Sequence, residues 1–160
     1  MVAATARAMI TAAVTAALAA GVLAAPATEA QAGGKYGPRL VDKYAMPPVR
    51  AGATTWVKTF WTSRSDVCDV RVTVSGDGVN VKYPSNTDTY TSFSRSGDLD
   101  RGHFDYTAFR VTAPDNAVGW IALNLSVEYT NLPAATRTPD PDCTGRRSHR
   151  ETTARLYVRH

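Results

Sequence analysis

The sequence predicts an all-β protein, a single antiparallel sandwich of seven or eight short strands, on three observations. Apolar residues recur at every second position in several stretches after residue 39, and turn-forming residues interrupt them at intervals of roughly 8 to 15 positions. No segment after residue 32 sustains an apolar pattern at helical spacing.

Ahead of these strands, Ala8 to Ala25 form 18 uncharged residues in a row, preceded by Arg7 and followed by Pro26 and Ala30-Gln31-Ala32. A charged start, an apolar middle and small residues at the −3 and −1 positions of a cut after Ala32 are the three parts of a secretory leader, so residues 1–32 read as a signal helix that is removed. The competing reading is a retained anchor. Nine of the 18 residues are alanine, and only Ile10, Val14, Leu18, Val22 and Leu23 insert strongly, for about −2 to −3 kcal/mol in sum. No Lys or Arg cluster follows to stop transfer. Cleavage leaves 128 residues, enough for one domain with a real core and too few for two. The net charge of +4 is too mild for a nucleic-acid binder, and no membrane role is expected once the leader is gone.

The elements follow in order. Residues 33–38, GGKYGP, read as a flexible N-terminus, because three glycines and a proline disfavour regular structure. Leu40 to Arg50 is a strand interrupted by Pro47-Pro48, which belongs on an edge or where the strand crosses between sheets, since proline cannot donate to a central ladder. Thr54 to Thr62 is a strand whose inward face the pattern leaves open: Trp56, Lys58 and Phe60 share one side, Val57 and Trp61 the other. Val70, Val72 and Val74, the turn Gly76-Asp77-Gly78, then Val79, Val81 and Tyr83 read as a hairpin, the glycines supplying positive φ.

Thr89 to Ser94 and Phe104 to Thr112 are further strands, the second ended by Ala113-Pro114-Asp115-Asn116. In Ile121 to Thr130, Ile121, Leu123, Leu125, Val127 and Tyr129 alternate without error with Ala122, Asn124, Ser126, Glu128 and Thr130, the cleanest half-buried strand of the chain. Thr152 to Val158 closes the set. Trp56, Phe60, Trp61, Tyr106, Phe109 and Trp120 are expected to fill or rim the core.

Cys68 and Cys143 are the only cysteines, and in an oxidising compartment two cysteines have one connectivity. A disulfide is expected, contributing about 4 kcal/mol through closure of the loop between them. Neither cysteine has a partner for metal or nucleophilic chemistry: there is no Cys-x-x-Cys and no histidine near Cys68.

The run SDVCDVRVTVSGDGVNVKYPSN, with DYTAFRVTAP and a long strand ending in VEYT, resembles the immunoglobulin-like β-sandwich domains of small secreted proteins from high-GC Gram-positive bacteria, over residues 39 to 158. The alanine-rich leader and the preference for arginine are similar to theirs. The resemblance implies export and an immunoglobulin-like fold, here spanning residues 39–160, and carries over no catalytic residue. The chain departs from antibody-type domains: Trp120 lies 52 positions after Cys68, and Pro141 stands two before Cys143 where a tyrosine would be. A bridge pinning the proline-flanked loop PDPDCTG to a strand is therefore expected in place of a sheet-to-sheet one.

Candidate chemistry is sparse. Asp98, Asp100 and Asp105 approach a calcium loop but lack the third donor at the required spacing, and Arg101 intrudes. His103 and Asp105 could be imagined in a hydrolytic triad, yet no Gly-x-Ser-x-Gly or His-Glu-x-x-His motif supports one. Arg146, Arg147 and Arg150, with Arg155 and Arg159 beyond, could hold an anionic polymer through paired hydrogen bonds, or could simply protect an edge strand. The sequence thus points to a secreted, monomeric, non-enzymatic module without cofactor or metal, binding an extracellular protein or an anionic envelope polymer through its loops. A secreted inhibitor of an extracellular hydrolase such as a protease, presenting Thr138 to Arg150, is the alternative.

Overall fold

A computed structural model describes residues 36–41, 46–84, 87–132 and 142–160; the leader read over residues 1–32 lies outside them. Within the described residues there are eight strands and no helix: β1 (Arg39–Leu40), β2 (Val49–Arg50), β3 (Thr54–Thr62), β4 (Val67–Gly76), β5 (Asn80–Lys82), β6 (Phe104–Thr112), β7 (Gly119–Asn131) and β8 (Arg146–Arg159). They form two four-stranded sheets, β1-β3-β6-β5 and β2-β8-β7-β4. With β1, β3, β6 and β5 standing as strands A, B, E and D, and β8, β7 and β4 as G, F and C, this is the constant-type immunoglobulin order. All ladders are antiparallel except β2 with β8, which runs parallel.

The sheets meet over Val57, Trp61, Phe109 and Val111 from the first and Val70, Val72, Leu123, Leu125, Val127, Leu156 and Val158 from the second, all essentially fully buried. The alternation of β7 delivers Leu123, Leu125, Val127 and Tyr129 to this core and Ala122, Asn124 and Glu128 to solvent. In β3 the inward face is Val57, Thr59 and Trp61. The inward polar atoms bond one another: Thr59 and Thr107 Oγ1 lie 2.7 Å apart, and the Trp61 indole N–H donates to both at 3.1 Å. Burial of these groups is tolerated because each has its partner.

One open alternative is decided and three expectations change. The stretch Leu40 to Arg50 holds two strands in different sheets, β1 on β3 and β2 on β8, so of the two places open to Pro47-Pro48 it is the passage between sheets that is found. The hairpin over 70–83 is instead a corner. β4 pairs with β7 in one sheet and β5 with β6 in the other, because alternation reports which side faces inward, not which strand lies alongside.

Thr89 to Ser94 is no strand. The irregular segment 91–99 lies along β4, exchanging backbone bonds between Thr91 and Val72 and between Leu99 and Val67, with the Val70 N–H on Gly97 O. The Ser94 N–H also donates to Tyr106 O on β6, so the segment closes the gap between the sheets, with Phe93 and Leu99 buried beneath it. Where it leaves β4, the Tyr83 hydroxyl takes over, accepting from the Val74 N–H at 2.6 Å and donating to Val74 O at 3.0 Å. Sheet edges sealed in this way cannot pair with another chain.

Lastly, part of the stretch read as flexible is docked. Tyr36 O accepts from Arg64 N and from the Ser63 and Ser65 hydroxyls, and Gly37 is buried against the Tyr129 ring so closely that any side chain there would collide with it.

Candidate binding surfaces

Cys68 opens β4, and Cys143 lies three residues before β8. They are joined by a disulfide with Cα atoms 6.0 Å apart. Both belong to the same side of the sandwich. Just before β8, Gly145 packs against Asn131 and Thr130 at the end of β7. The rest of the segment proposed as an inhibitory loop, 138–141, lies outside the described residues.

The three arginines of the C-terminal stretch do not make one patch. Ala154, Leu156 and Val158 face the core, so alternation puts Arg146 and Arg150 on the inward side of β8 and Arg147 on the outward side. Arg150 donates from Nη1 to Pro38 O at 2.9 Å, tying the N-terminal segment down, while Arg147 reaches Asp69 at 3.4 Å. Asp69 holds Arg71 as well, at 3.3 Å.

His103 and Asp105 point apart. His103 Nδ1 lies 3.5 Å from Asp100 on the surface. Asp105 is buried and accepts from the Ser94 hydroxyl and from the backbone N–H of Arg95 and Tyr106, an anchor for the segment beside β6. Among the described residues no three His, Cys, Asp or Glu side chains are grouped as a metal would need.

Four of the six aromatic side chains expected to fill or rim the core, Trp56, Phe60, Tyr106 and Trp120, stand on outer faces. Trp56 is 41% exposed on the first sheet and Trp120 69% exposed on the second, whereas Trp61 and Phe109 are buried. Around them the two outer faces differ. On the first sheet, Trp56, Lys58 and Phe60 of β3 stand in register with Arg110, Ala108 and Tyr106 of β6, and Lys82 of β5 extends the Trp56–Arg110 row. Arg39 of β1 pairs in register with Thr62 at the other end. The Lys58 ammonium lies 4.3 Å from the centre of the Tyr106 ring and the Arg110 guanidinium 5.3 Å from that of Trp56, close enough for attraction to the ring electrons. The four strands of this sheet contain one acid, Asp105, and it points inward. The sequence carried a signal for this face, the alternation of Trp56, Lys58 and Phe60 against Tyr106, Ala108 and Arg110. It became readable only once the inward side was known.

On the second sheet, Thr73, Ser75, Asn124, Ser126, Glu151 and Thr153 line an open trough of about 530 Å³. Trp120 and Tyr157 stand at one end of the sheet with ring centres 5.1 Å apart. Here both signs occur on one face: besides the Asp69 pairs, Glu128 stands opposite Arg71 in register, His149 Nε2 lies 3.4 Å from Glu151, and Arg155 stands opposite Ala122.

No protein-family model matches the chain, and no curated protein matches it. Solved structures to which it is similar include the GAE domain of GGA2p from Saccharomyces cerevisiae, with TM-score 0.43, 12% identity, and coverage of 75% of this chain and 97% of that one. AvmM, which catalyses macrocyclization in alchivemycin A biosynthesis, gives TM-score 0.41 at 10% identity, with coverage of 78% and 89%. PapD-like domain 7 of human CEP192 gives TM-score 0.33 at 16% identity, with coverage of 77% and 82%. Likenesses this distant carry no argument, and the immunoglobulin-like assignment stands on the strand order.

Proposed function

We propose that this chain is a secreted, non-enzymatic immunoglobulin-like module that holds an extracellular partner against the outer faces of its sheets. One observation carries the reading: with the core already filled, Trp56, Phe104, Trp120 and Tyr157 remain between 39% and 69% exposed on the strands. Large aromatic residues left outside a complete core lose little entropy on contact and dominate binding energy, which is why they mark working surfaces. The Cys68–Cys143 disulfide suits an oxidising compartment.

The test is retention of the purified, disulfide-bonded chain on isolated Gram-positive cell envelopes, read by co-sedimentation. Trp56→Ser or Trp120→Ser is expected to lower retention. Equal retention by both variants and the parent, or turnover of peptide or ester substrates by the parent, would overturn the proposal.

A further inference from the structure

Resting on the module reading, the geometry points to a specific ligand for one of the two faces: we propose that the outer face of the β1-β3-β6-β5 sheet binds an acidic polysaccharide. Its cations are Arg39, Lys58, Lys82 and Arg110, and no carboxylate shares the surface of its strands, since Asp105 is buried and engaged with Ser94, Arg95 and Tyr106. Such a face attracts a polyanion and has nothing of its own to neutralise it. The charges lie along the strands and not in a single spot. From the Trp56–Arg110–Lys82 row to the Arg39–Thr62 row is six residues of strand, about 20 Å, a span suited to a chain of several sugars more than to a small anion.

The aromatics decide the class of polymer. Trp56, Phe60, Tyr106 and Phe104 interleave with the cations on the same face, so a ligand that follows it meets alternating ring faces and positive charges. A pyranose offers apolar C–H faces to the rings and, where it carries a carboxylate, two acceptor oxygens to the Arg110 fork. Lys58 lies over the Tyr106 ring and Arg110 over the Trp56 ring, contacts that restrain the cations' rotamers before a ligand arrives. On the opposite face the C-terminal cations share their surface with acids: Arg147 is engaged by Asp69, Glu128 and Glu151 lie on the same face as Arg155, and Arg150 is tied to Pro38 on the inward side.

The experiment measures affinity of the full disulfide-bonded chain for polygalacturonate, for a neutral glucan, for poly(glycerol phosphate) and for single-stranded poly-dT, by calorimetry at low and high salt. Polygalacturonate is expected to bind and to be released by salt. The pair Lys58→Ala with Arg110→Ala is expected to weaken it about tenfold, the loss of two charge-assisted contacts. Trp56→Ser should weaken it without changing the salt dependence, and Arg147→Ala with Arg155→Ala on the opposite face should leave it unchanged.

Tighter binding of poly-dT than of polygalacturonate, equal binding of poly(glycerol phosphate), or insensitivity to both Lys58/Arg110 and Trp56 replacement would overturn the inference. If polygalacturonate fails to bind while Trp56→Ser or Trp120→Ser still lowers envelope retention, this inference falls and the module reading stands. If neither substitution affects retention, the module reading itself falls.

Discussion

Lys58 on β3 and Arg71 on β4 both stand on outer faces of the sandwich, yet Lys58 has Ala108 opposite it and Arg71 has Glu128. The contrast extends over the two sheets. The second carries both signs: Asp69 holds Arg71 and Arg147, Glu128 stands opposite Arg71, Glu151 shares the outer face with Arg155, and the segment 91–99 covers the β4 edge. Inside, it is apolar over Leu123 to Val127 and Ala154 to Val158, and the Tyr129 hydroxyl is buried there without a hydrogen-bond partner. The first sheet differs, with a bonded polar trio of Thr59, Thr107 and Trp61 inside and, outside, cations among aromatics with no carboxylate on the outer face of its strands. A face whose charges are paired in register has little left to offer a partner, whereas a face of one sign keeps its potential for something that arrives from solution.

The largest perturbation acts on the second sheet. Cys68→Ser with Cys143→Ser opens a loop spanning 75 residues, which is expected to cost about 4 kcal/mol in denaturant unfolding while polyanion binding by folded protein stays unchanged. A loss of binding at a denaturant-free condition where the chain is folded would break the separation of the two sheets.

Next comes the bond that joins them. Tyr83→Phe leaves the buried N–H and C=O of Val74 without partners, for about 3 kcal/mol. Burial also holds the Tyr83 phenol above its ordinary 10.0, partly offset by its bond to Val74. The folded chain therefore keeps this proton more tightly than the unfolded one. Its stability is whole below about pH 10 and declines as pH climbs through the raised folded value. Urea midpoints at about pH 8 and about pH 11 should show a smaller alkaline loss in Tyr83→Phe than in the parent.

On the first sheet, Thr59→Val with Thr107→Val keeps shape but strands the Trp61 N–H, an expected loss of about 2 kcal/mol. A neutral result by thermal unfolding would mean that the polar trio is dispensable, and the two interiors would differ less than their composition suggests.

Much of this was legible in the sequence, and the illegible part has a physical pattern. β3 and β6 occupy the expected spans Thr54–Thr62 and Phe104–Thr112, and the turn at Pro114 closes through the Ala117 N–H on Pro114 O. Period-two alternation is a burial signal, so it located strands and inward residues well. It says nothing of partners, which is why β4 and β5 looked like a hairpin. Segment 91–99 has no period to read, because it bonds to an edge with scattered backbone groups.

The aromatics misled for another reason. Hydrophobicity places a residue inside only when the inward positions are known, and in β3 both sides carried a tryptophan. Arg146 and Arg147 are close in sequence, yet in a strand such neighbours lie on opposite faces, and only Arg150 shares the side of Arg146.

The smallest expected effect is the one on which the comparison of the faces turns. Trp56 and Trp120 sit on strands but outside the core, each touching one neighbour of note: Arg110 at 5.3 Å for Trp56, and Tyr157 at 5.1 Å for Trp120. Their replacement by serine removes an exposed ring, leaves no cavity and strands no polar group, so unfolding free energy should change by no more than about 0.5 kcal/mol in either variant. Chemical denaturation of the two variants beside the parent measures this directly. If both are neutral, any binding that Trp56→Ser loses belongs to ligand contact. If Trp56→Ser instead costs more than about 1 kcal/mol, its ring is a structural cover for the first sheet, and the contrast between a face of mixed sign and a face of one sign with a ring held out for contact fails.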